Sequence, residues 1–467
     1  MGIAIQKMTE KLWGGRFKKK MDPDFEKFSA SQQWDRRLLP YDLQIDAAHV
    51  KALKKCGVLS AAEAKKFLSA IAALQASYLQ GKLKLDAGAE DVHSAVQTLL
   101  EARLGRLADK MHTARSRNDL VSQSARLYCR ENAERIYALL TGLQKEMVRK
   151  AVEYQDVYVP GMTHLQNAQI VSQAHIFLAY AEMLKRAKAR FEGGRQFFDI
   201  CVLGSGALAG VTFDLDQKLI AKELGLSRIT DNSYDVSGDR DFVFNFLSCC
   251  FFTGLEISRI AEDLMIGQTK GFSLVDIDQA FCTGSSMMPQ KKNADFAELA
   301  RGAAAVFGAN FTGMGLILKG LPTSYNRDLQ WDKKFLFDSA EHCQELLTVF
   351  IKMVRSLKIN RVRAAELLKD ENLYATDLAD YLVKKNVPFK EAHRQVGQLV
   401  SFAEKKDMPL SKLGLDLIRH FAPKADGDVY ELFDAGHSVH LKRTIGSTHP
   451  AQIQKQIARW KKELRRA

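Results

Sequence analysis

An all-α fold is predicted for this 467-residue chain by three observations. Prolines are few and widely spaced, apolar residues recur at helical steps over long stretches, and strand-like alternation is scarce. Of the nine prolines, none falls between Pro40 and Pro160 or between Pro160 and Pro289. An internal proline removes a backbone hydrogen bond and clashes with the turn before it, so long helices are permitted there. From Asn118 to about Gln155, the residues Ile136, Leu140, Leu143, Met147 and Ala151 recur at three- and four-residue steps. That spacing predicts one helix roughly 50 Å long. Similar patterns through Gln169–Phe198, Arg240–Thr269, Asp295–Leu318 and Asp328–Leu357 imply a bundle core. Short strand candidates lie only around Val157–Val159 and Ile200–Leu203.

Shorter helices flank this core. Ser60 and Glu63 form a capping-box pattern after a stop at Gly57, and an N-terminal region ends near Met111. Beyond Asn360 the helices shorten again, with Pro388, Pro409 and Pro423 each at a break. The expected division is an N-terminal helical domain over 1–111, a central long-helix domain over 112–360 and a small C-terminal helical domain over 361–467.

Composition excludes several classes. With 46% apolar residues the chain can bury a large core, while no uncharged apolar run reaches about 18 residues and the basic start forms no signal segment. No membrane association is expected, and the cytoplasm is the expected location. Seven cysteines, an odd number without a Cys-x-x-Cys pair, fit reduced thiols and indicate neither a disulfide framework nor a zinc site. The formal charge of +13 raises the question of nucleic acid. Its Lys and Arg are scattered and interleaved with Glu and Asp, apart from Lys18–Lys20 and the tail from Lys455 to Arg466, which reads as solvated faces. No nucleic-acid partner is expected. A positive surplus suits a small anionic substrate.

Chemistry concentrates in three polar loops. The first is His112-Thr113-Ala114-Arg115-Ser116-Arg117-Asn118-Asp119, the second Pro160-Gly161-Met162-Thr163-His164-Leu165-Gln166, and the third runs from Gly284 to Asp295 as Gly-Ser-Ser-Met-Met-Pro-Gln-Lys-Lys-Asn-Ala-Asp. Each precedes a predicted helix, where unpaired N–H groups and the positive dipole end favour carboxylates. Taken singly, Ser, Thr, Asn and Asp at such places serve as caps, and Asp295 with Glu298 reads equally as a capping pair. The concentration of Arg, Lys, His, Ser and Asn in three short loops points further, to a pocket for a polycarboxylate.

The third loop resembles the signature loop of the fumarase, aspartase and argininosuccinate lyase superfamily, whose members eliminate fumarate from a substituted succinate. Lys11-Leu12-Trp13-Gly14-Gly15-Arg16-Phe17 and Arg117-Asn118-Asp119 select a member. Together with Phe28-Ser29-Ala30-Ser31, Glu90-Asp91-Val92-His93, Leu203-Gly204-Ser205-Gly206-Ala207, Tyr325-Asn326-Arg327-Asp328-Leu329-Gln330 and Ala375-Thr376-Asp377-Leu378-Ala379, they make the chain similar to the argininosuccinate lyase family over nearly its whole length. The resemblance implies a three-domain all-α fold, with a central bundle of long helices that forms a 20-helix core in a homotetramer. It further implies active sites built from segments of three chains, and reversible cleavage of argininosuccinate to arginine and fumarate without metal or organic cofactor. By the same resemblance, Ser285 is the favoured proton-abstracting base, with His164 the alternative, and Lys291 and Asn293 stabilise the carbanion. His164, with Glu298 raising its basicity, handles the proton at the leaving nitrogen. Ser31, Asn118, Thr163, Tyr325, Gln330 and Lys333 bind substrate, while His93 and Arg117 line the pocket.

Departures from the family pattern are Ala114 for Gly, Met162 for an aromatic, Asn167 for Arg, Ile170 and Ala294 for Pro, Gly238 for Ser and Trp331 for Glu. None removes a proposed catalytic group. Two alternatives accompany the main reading: another fumarate-releasing lyase of the superfamily, or a non-catalytic crystallin-like structural relative.

Overall fold

The computed structural model describes residues 19, 21–86 and 88–466; the Lys11–Phe17 motif lies outside them. Helices dominate. They are α1 (Pro23–Ser29), α2 (Gln32–Asp35), α3 (Leu39–Lys55), α4 (Ala61–Leu79), α5 (Val92–Leu104), α6 (Arg117–Glu153), α7 (Gln173–Phe198), α8 (Gln217–Glu223) and α9 (Ser233–Gly238). There follow α10 (Asp241–Gln268), α11 (Asp295–Leu318), α12 (Asp332–Ser356), α13 (Arg361–Leu367), α14 (Ala375–Lys384), α15 (Phe389–Lys406), α16 (Leu415–Phe421), α17 (Ala435–His440) and α18 (Pro450–Arg466). The five long segments of the sequence pattern correspond to α6, α7, α10, α11 and α12. The chain separates into two units, one of Met1–Tyr128, Asp199–Arg240 and Gly320–Lys334, the other of Cys129–Phe198, Asp241–Lys319 and Phe335–Ala467.

In the first unit α3, α4 and α5 pack together. Leu43, Val50 and Leu53 of α3, Phe67, Ile71 and Leu74 of α4, and Val96 and Leu100 of α5 repeat at helical steps and are buried, so one apolar stripe per helix makes this core. The expected capping box opens α4. Ser60 Oγ accepts from Glu63 N at 3.2 Å and Glu63 Oε2 accepts from Ser60 N at 2.8 Å, which satisfies two otherwise orphaned donors.

The second unit holds most of α6. Its predicted core residues Ile136, Leu140, Leu143, Met147 and Ala151 are all buried. Helix α10 packs against α7 and α11. At Gly254 the approach is tight, since a Cβ there would sit 2.7 Å from a Phe307 ring carbon and 3.0 Å from Ala304 Cα. By length and composition α10 is apolar enough to cross a membrane, and here it serves as a packed core helix. In the C-terminal part Leu378, Leu382, Val396, Leu399 and Ile418 build a further cluster. Pro388 stands at the N-cap of α15 and Pro409 just before the short helical turn Leu410–Lys412.

The sequence reading differs from the structure at the second polar loop. Tyr158–Thr163 (β1) and Gln166–Ser172 (β2) form an antiparallel hairpin, and α7 starts only at Gln173. Thr163 pairs with Gln166, so His164 and Leu165, at φ 55° and 58°, are the two turn residues, with the positive φ of a tight hairpin turn. The segment from Gln169 was expected to be helical. In place of a helical stripe, Gln169 is exposed beside a buried Ile170. The remaining pairings are short: Ile200–Cys201 (β3) runs parallel to Arg228–Ile229 (β4), and Val275–Asp276 (β5) antiparallel to Lys358–Ile359 (β6).

Candidate active site

Seven of the residues named from sequence line one cavity of about 170 Å³ in the first unit: Ser31, His93, Arg117, Asn118, Tyr325, Gln330 and Lys333. Local hydrogen bonds place Arg117, Asn118 and His93. Arg117 and Asn118 stand at the start of α6, where Ser116 N donates to Asp119 Oδ1 at 3.0 Å. Asp119 Oδ2 accepts from Gly206 N at 2.9 Å, and Asn118 Nδ2 donates to Ala207 O at 3.1 Å, so the Gly204–Ala207 turn is fastened to the helix start. Burial raises the Asp119 pKa to about 6 against these donors. His93 lies in the first turn of α5, whose N-cap Asp91 accepts from Ser94 N at 2.7 Å.

The cavity is charge-compensated rather than simply basic. Arg117 Nη1 is 3.0 Å from Asp91 Oδ2, and Arg327 Nη2 donates to Glu90 Oε1 at 3.1 Å. Lys333 Nζ lies 2.7 Å from Asp332 Oδ1, whose partner oxygen holds the buried Arg240 at 2.6 Å. His93 is buried, with Nδ1 2.5 Å from Asp42 Oδ2, and Ser124 Oγ donates to the other oxygen of Asp42 at 2.5 Å. Burial opposes charge on His93, but Asp42, Asp91 and Asp35 outweigh it and raise its pKa. Among the described residues its Nε2 has no hydrogen-bond partner, which leaves that atom for a ligand.

The Gly284–Asp295 loop belongs to the second unit. Its ends are closed by a Thr283–Asn293 pair, N to O at 3.1 and 2.8 Å. Asp295 strengthens the closure, because its Oδ2 accepts from Thr283 N at 2.9 Å and Thr283 Oγ1 at 2.6 Å. It does not cap α11, whose N-cap is Ala294 without a side-chain bond. Ser285 Oγ accepts from Met287 N at 3.2 Å and Met288 N at 3.1 Å. Two N–H dipoles aimed at one oxygen stabilise negative charge on it. Asn293 Nδ2 reaches Gly284 O at 3.4 Å, and Lys291 is exposed with no ion pair among the described residues.

His164 and Thr163 stand at the exposed hairpin end, and Glu298 is exposed in the first turn of α11. Within one chain His164 and Glu298 share no hydrogen bond or ion pair. Asp35, Glu90, Asp91 and Arg327 also line the cavity without having been singled out as site residues. Glu90, Asp91 and Arg327 stood inside quoted motifs. Asp35 follows Ser31 by one helical turn, and Ser31 Oγ donates to its Oδ2 at 2.6 Å.

Comparison with known proteins gives this arrangement its class. Residues 15–308 match a lyase family, and residues 372–440 match the argininosuccinate lyase C-terminal family. The argininosuccinate lyase of Pelotomaculum thermopropionicum is 38% identical over 455 residues, 97% of this chain and 99% of that one. That of Desulfitobacterium hafniense is 40% identical over 447 residues, 96% and 97% of the two chains. Among solved structures, EDDS lyase in complex with formate superposes with a TM-score of 0.80 at 25% identity, covering 96% of this chain and 91% of that one. A class II fumarase from Schistosoma mansoni shares the fold, with a TM-score of 0.74 at 16% identity over 88% and 91%. Fold and matches together define a lyase of the fumarase/aspartase superfamily. Within it, the chain belongs to the argininosuccinate lyase family.

Proposed function

We propose that this chain cleaves argininosuccinate reversibly into arginine and fumarate, with Ser285 as the base. The observation that carries the reading is identity of about 40% to argininosuccinate lyases over nearly the full length of both chains. The proton removed sits on the carbon beside a carboxylate, and the electron pair left behind spreads into that carboxylate. The ammonium of Lys291 and the amide of Asn293 meet the charge. The C–N bond then breaks, and the leaving guanidino nitrogen takes a proton from His164, directly or through water. A serine hydroxyl is a weak base as it stands. The N–H groups of Met287 and Met288 at its Oγ favour the alkoxide, and Lys291 and exclusion of water add to that effect.

Ser31, His93, Arg117, Asn118, Tyr325, Gln330 and Lys333 hold substrate in this reading, joined by Thr163 and Asn293, and Glu298 tunes His164. The protein works as a cytoplasmic homotetramer of three-domain chains (1–111, 112–360 and 361–467), with each active site drawing loops from several subunits. Support for assembly comes from α11, which exposes Leu299 (72%), Val306 (41%) and Leu316 (67%) at helical spacing, an apolar stripe suited to a second copy.

Offering the purified protein argininosuccinate, adenylosuccinate, aspartate and malate separately tests the assignment. Fumarate absorbance should appear with argininosuccinate at the highest kcat/KM. Activity confined to another of these substrates would overturn it.

A further inference from the structure

Beside the cavity, Trp331 packs edge-on against Phe28, ring centroids 6.1 Å apart at 69°, and tilted against Trp34 at 5.5 Å and 46°. These rings join two segments that both feed the cavity. From one come Ser31 and Asp35, from the other Arg327 and Gln330. Polar bonds run the same way, since Arg327 Nη2 and Gln330 Nε2 both donate to Ser29 O, at 3.1 and 2.9 Å. Opposite, Ser31 N donates to Glu90 O at 2.8 Å and Val92 N to Asp35 Oδ1 at 3.0 Å. The Ser29–Asp35 wall is thus held on two sides, and one of the two holds ends in an aromatic contact.

We propose that Trp331 is a positioning residue, an aromatic latch that fixes the Ser29–Asp35 wall against the Arg327–Trp331 turn and so sets how tightly the cavity grips its substrate. The latch is peripheral, with Phe28 70% exposed and Trp331 36% exposed, so its removal leaves the buried core of the unit untouched. Ser29 O accepts two side-chain donors only while it stays in place, and Ser31 and Gln330 line the same cavity. Loosening the wall therefore weakens ground-state and transition-state binding together, which raises KM and spares kcat.

This inference rests on the argininosuccinate reading for its kinetic part, and the test keeps the two apart. Amide deuterium exchange over residues 28–35 is compared in the wild type, Trp331→Ala and Trp331→Phe, alongside KM and kcat for argininosuccinate. Faster exchange in Trp331→Ala, a KM raised about tenfold with kcat within about twofold, and recovery of both in Trp331→Phe are expected. Unchanged exchange overturns the latch, as does faster exchange with KM unmoved. A wild type that fails to cleave argininosuccinate overturns the functional reading instead, and exchange then decides the latch by itself.

Discussion

Gly238 and Ser324 meet backbone to backbone: a Cβ at position 238 would lie 2.2 Å from the Ser324 carbonyl oxygen and 2.5 Å from its carbonyl carbon. Ser324 has φ 67° and precedes Tyr325, which lines the cavity. The serine usual at position 238 in the family cannot be placed there while Ser324 keeps this conformation, so the departure and the backbone geometry belong together. Gly238→Ser should displace the 324 carbonyl, cost about 1–3 kcal/mol as overpacking does, and raise KM by moving Tyr325. Urea unfolding with steady-state kinetics checks both. Wild-type stability and KM would show that the contact relaxes freely.

Ala114 sits at φ 55°, the left-handed region that L-residues reach only at about 1–2 kcal/mol. The glycine usual in the family would be unstrained there, though its extra freedom in the unfolded chain returns part of the gain. Ala114→Gly should stabilise the protein by about 0.5–1 kcal/mol, read as a higher urea midpoint at unchanged slope.

Immediately before Ala114 the loop is already tied down, because the ring of His49 reaches Thr113 O at 2.9 Å through Nε2. With a carbonyl as its partner among the described residues, Nε2 carries the proton as donor. Burial, with Arg115 adding repulsion, pushes the His49 pKa down to about 3, although the Thr113 bond pulls it up. The unfolded chain takes up this proton near pH 6.5, whereas the folded chain stays neutral to about pH 3. The stability contribution is therefore complete above about pH 6.5 and is lost as pH falls toward 3, by about 1.4 kcal/mol per unit. His112, lowered to about 3 chiefly by burial, acts in the same window. His49→Gln should flatten the acid limb of the stability–pH curve measured by urea unfolding from pH 7 to 4, leaving the share due to His112. An unchanged slope would contradict this.

Subunit mixing tests the proposal that each active site draws on several subunits. His164→Asn and Ser285→Ala, each strongly impaired alone, should regain part of the wild-type turnover once unfolded together and reassembled, because some sites then receive an intact hairpin and an intact loop. Verified mixed assemblies without activity would place both residues in one chain's site.

The long helices were legible because proline spacing and apolar steps act locally. For α6 the pattern from Asn118 to about Gln155 stands beside an observed Arg117–Glu153, and the Ser60–Glu63 box needed four residues to read. Of the hairpin only the start of its first strand, at Val157–Val159, was legible, since the turn residues His164 and Leu165 lack the Asn-Gly signal of such turns and Ala168–Val171 suits helix or strand. Six of the seven cavity residues stand inside motifs and Lys333 three residues beyond one, but Asp42 beneath His93 and Arg240 on Asp332 are charge partners that only the fold brings together. Asp295 likewise read as a cap, and its bond back to Thr283 closes a loop whose two ends are joined only in three dimensions.

Single-turnover release of fumarate from argininosuccinate, measured side by side for the wild type and Ser285→Ala, tests the central claim most directly. The wild type should form fumarate and arginine in equal amounts. Ser285→Ala should be slower by about 10²–10⁴-fold, the usual contribution of a general base, with folding retained because only a loop hydroxyl is lost. Equal rates in the two proteins, or no fumarate from the wild type, would contradict the account.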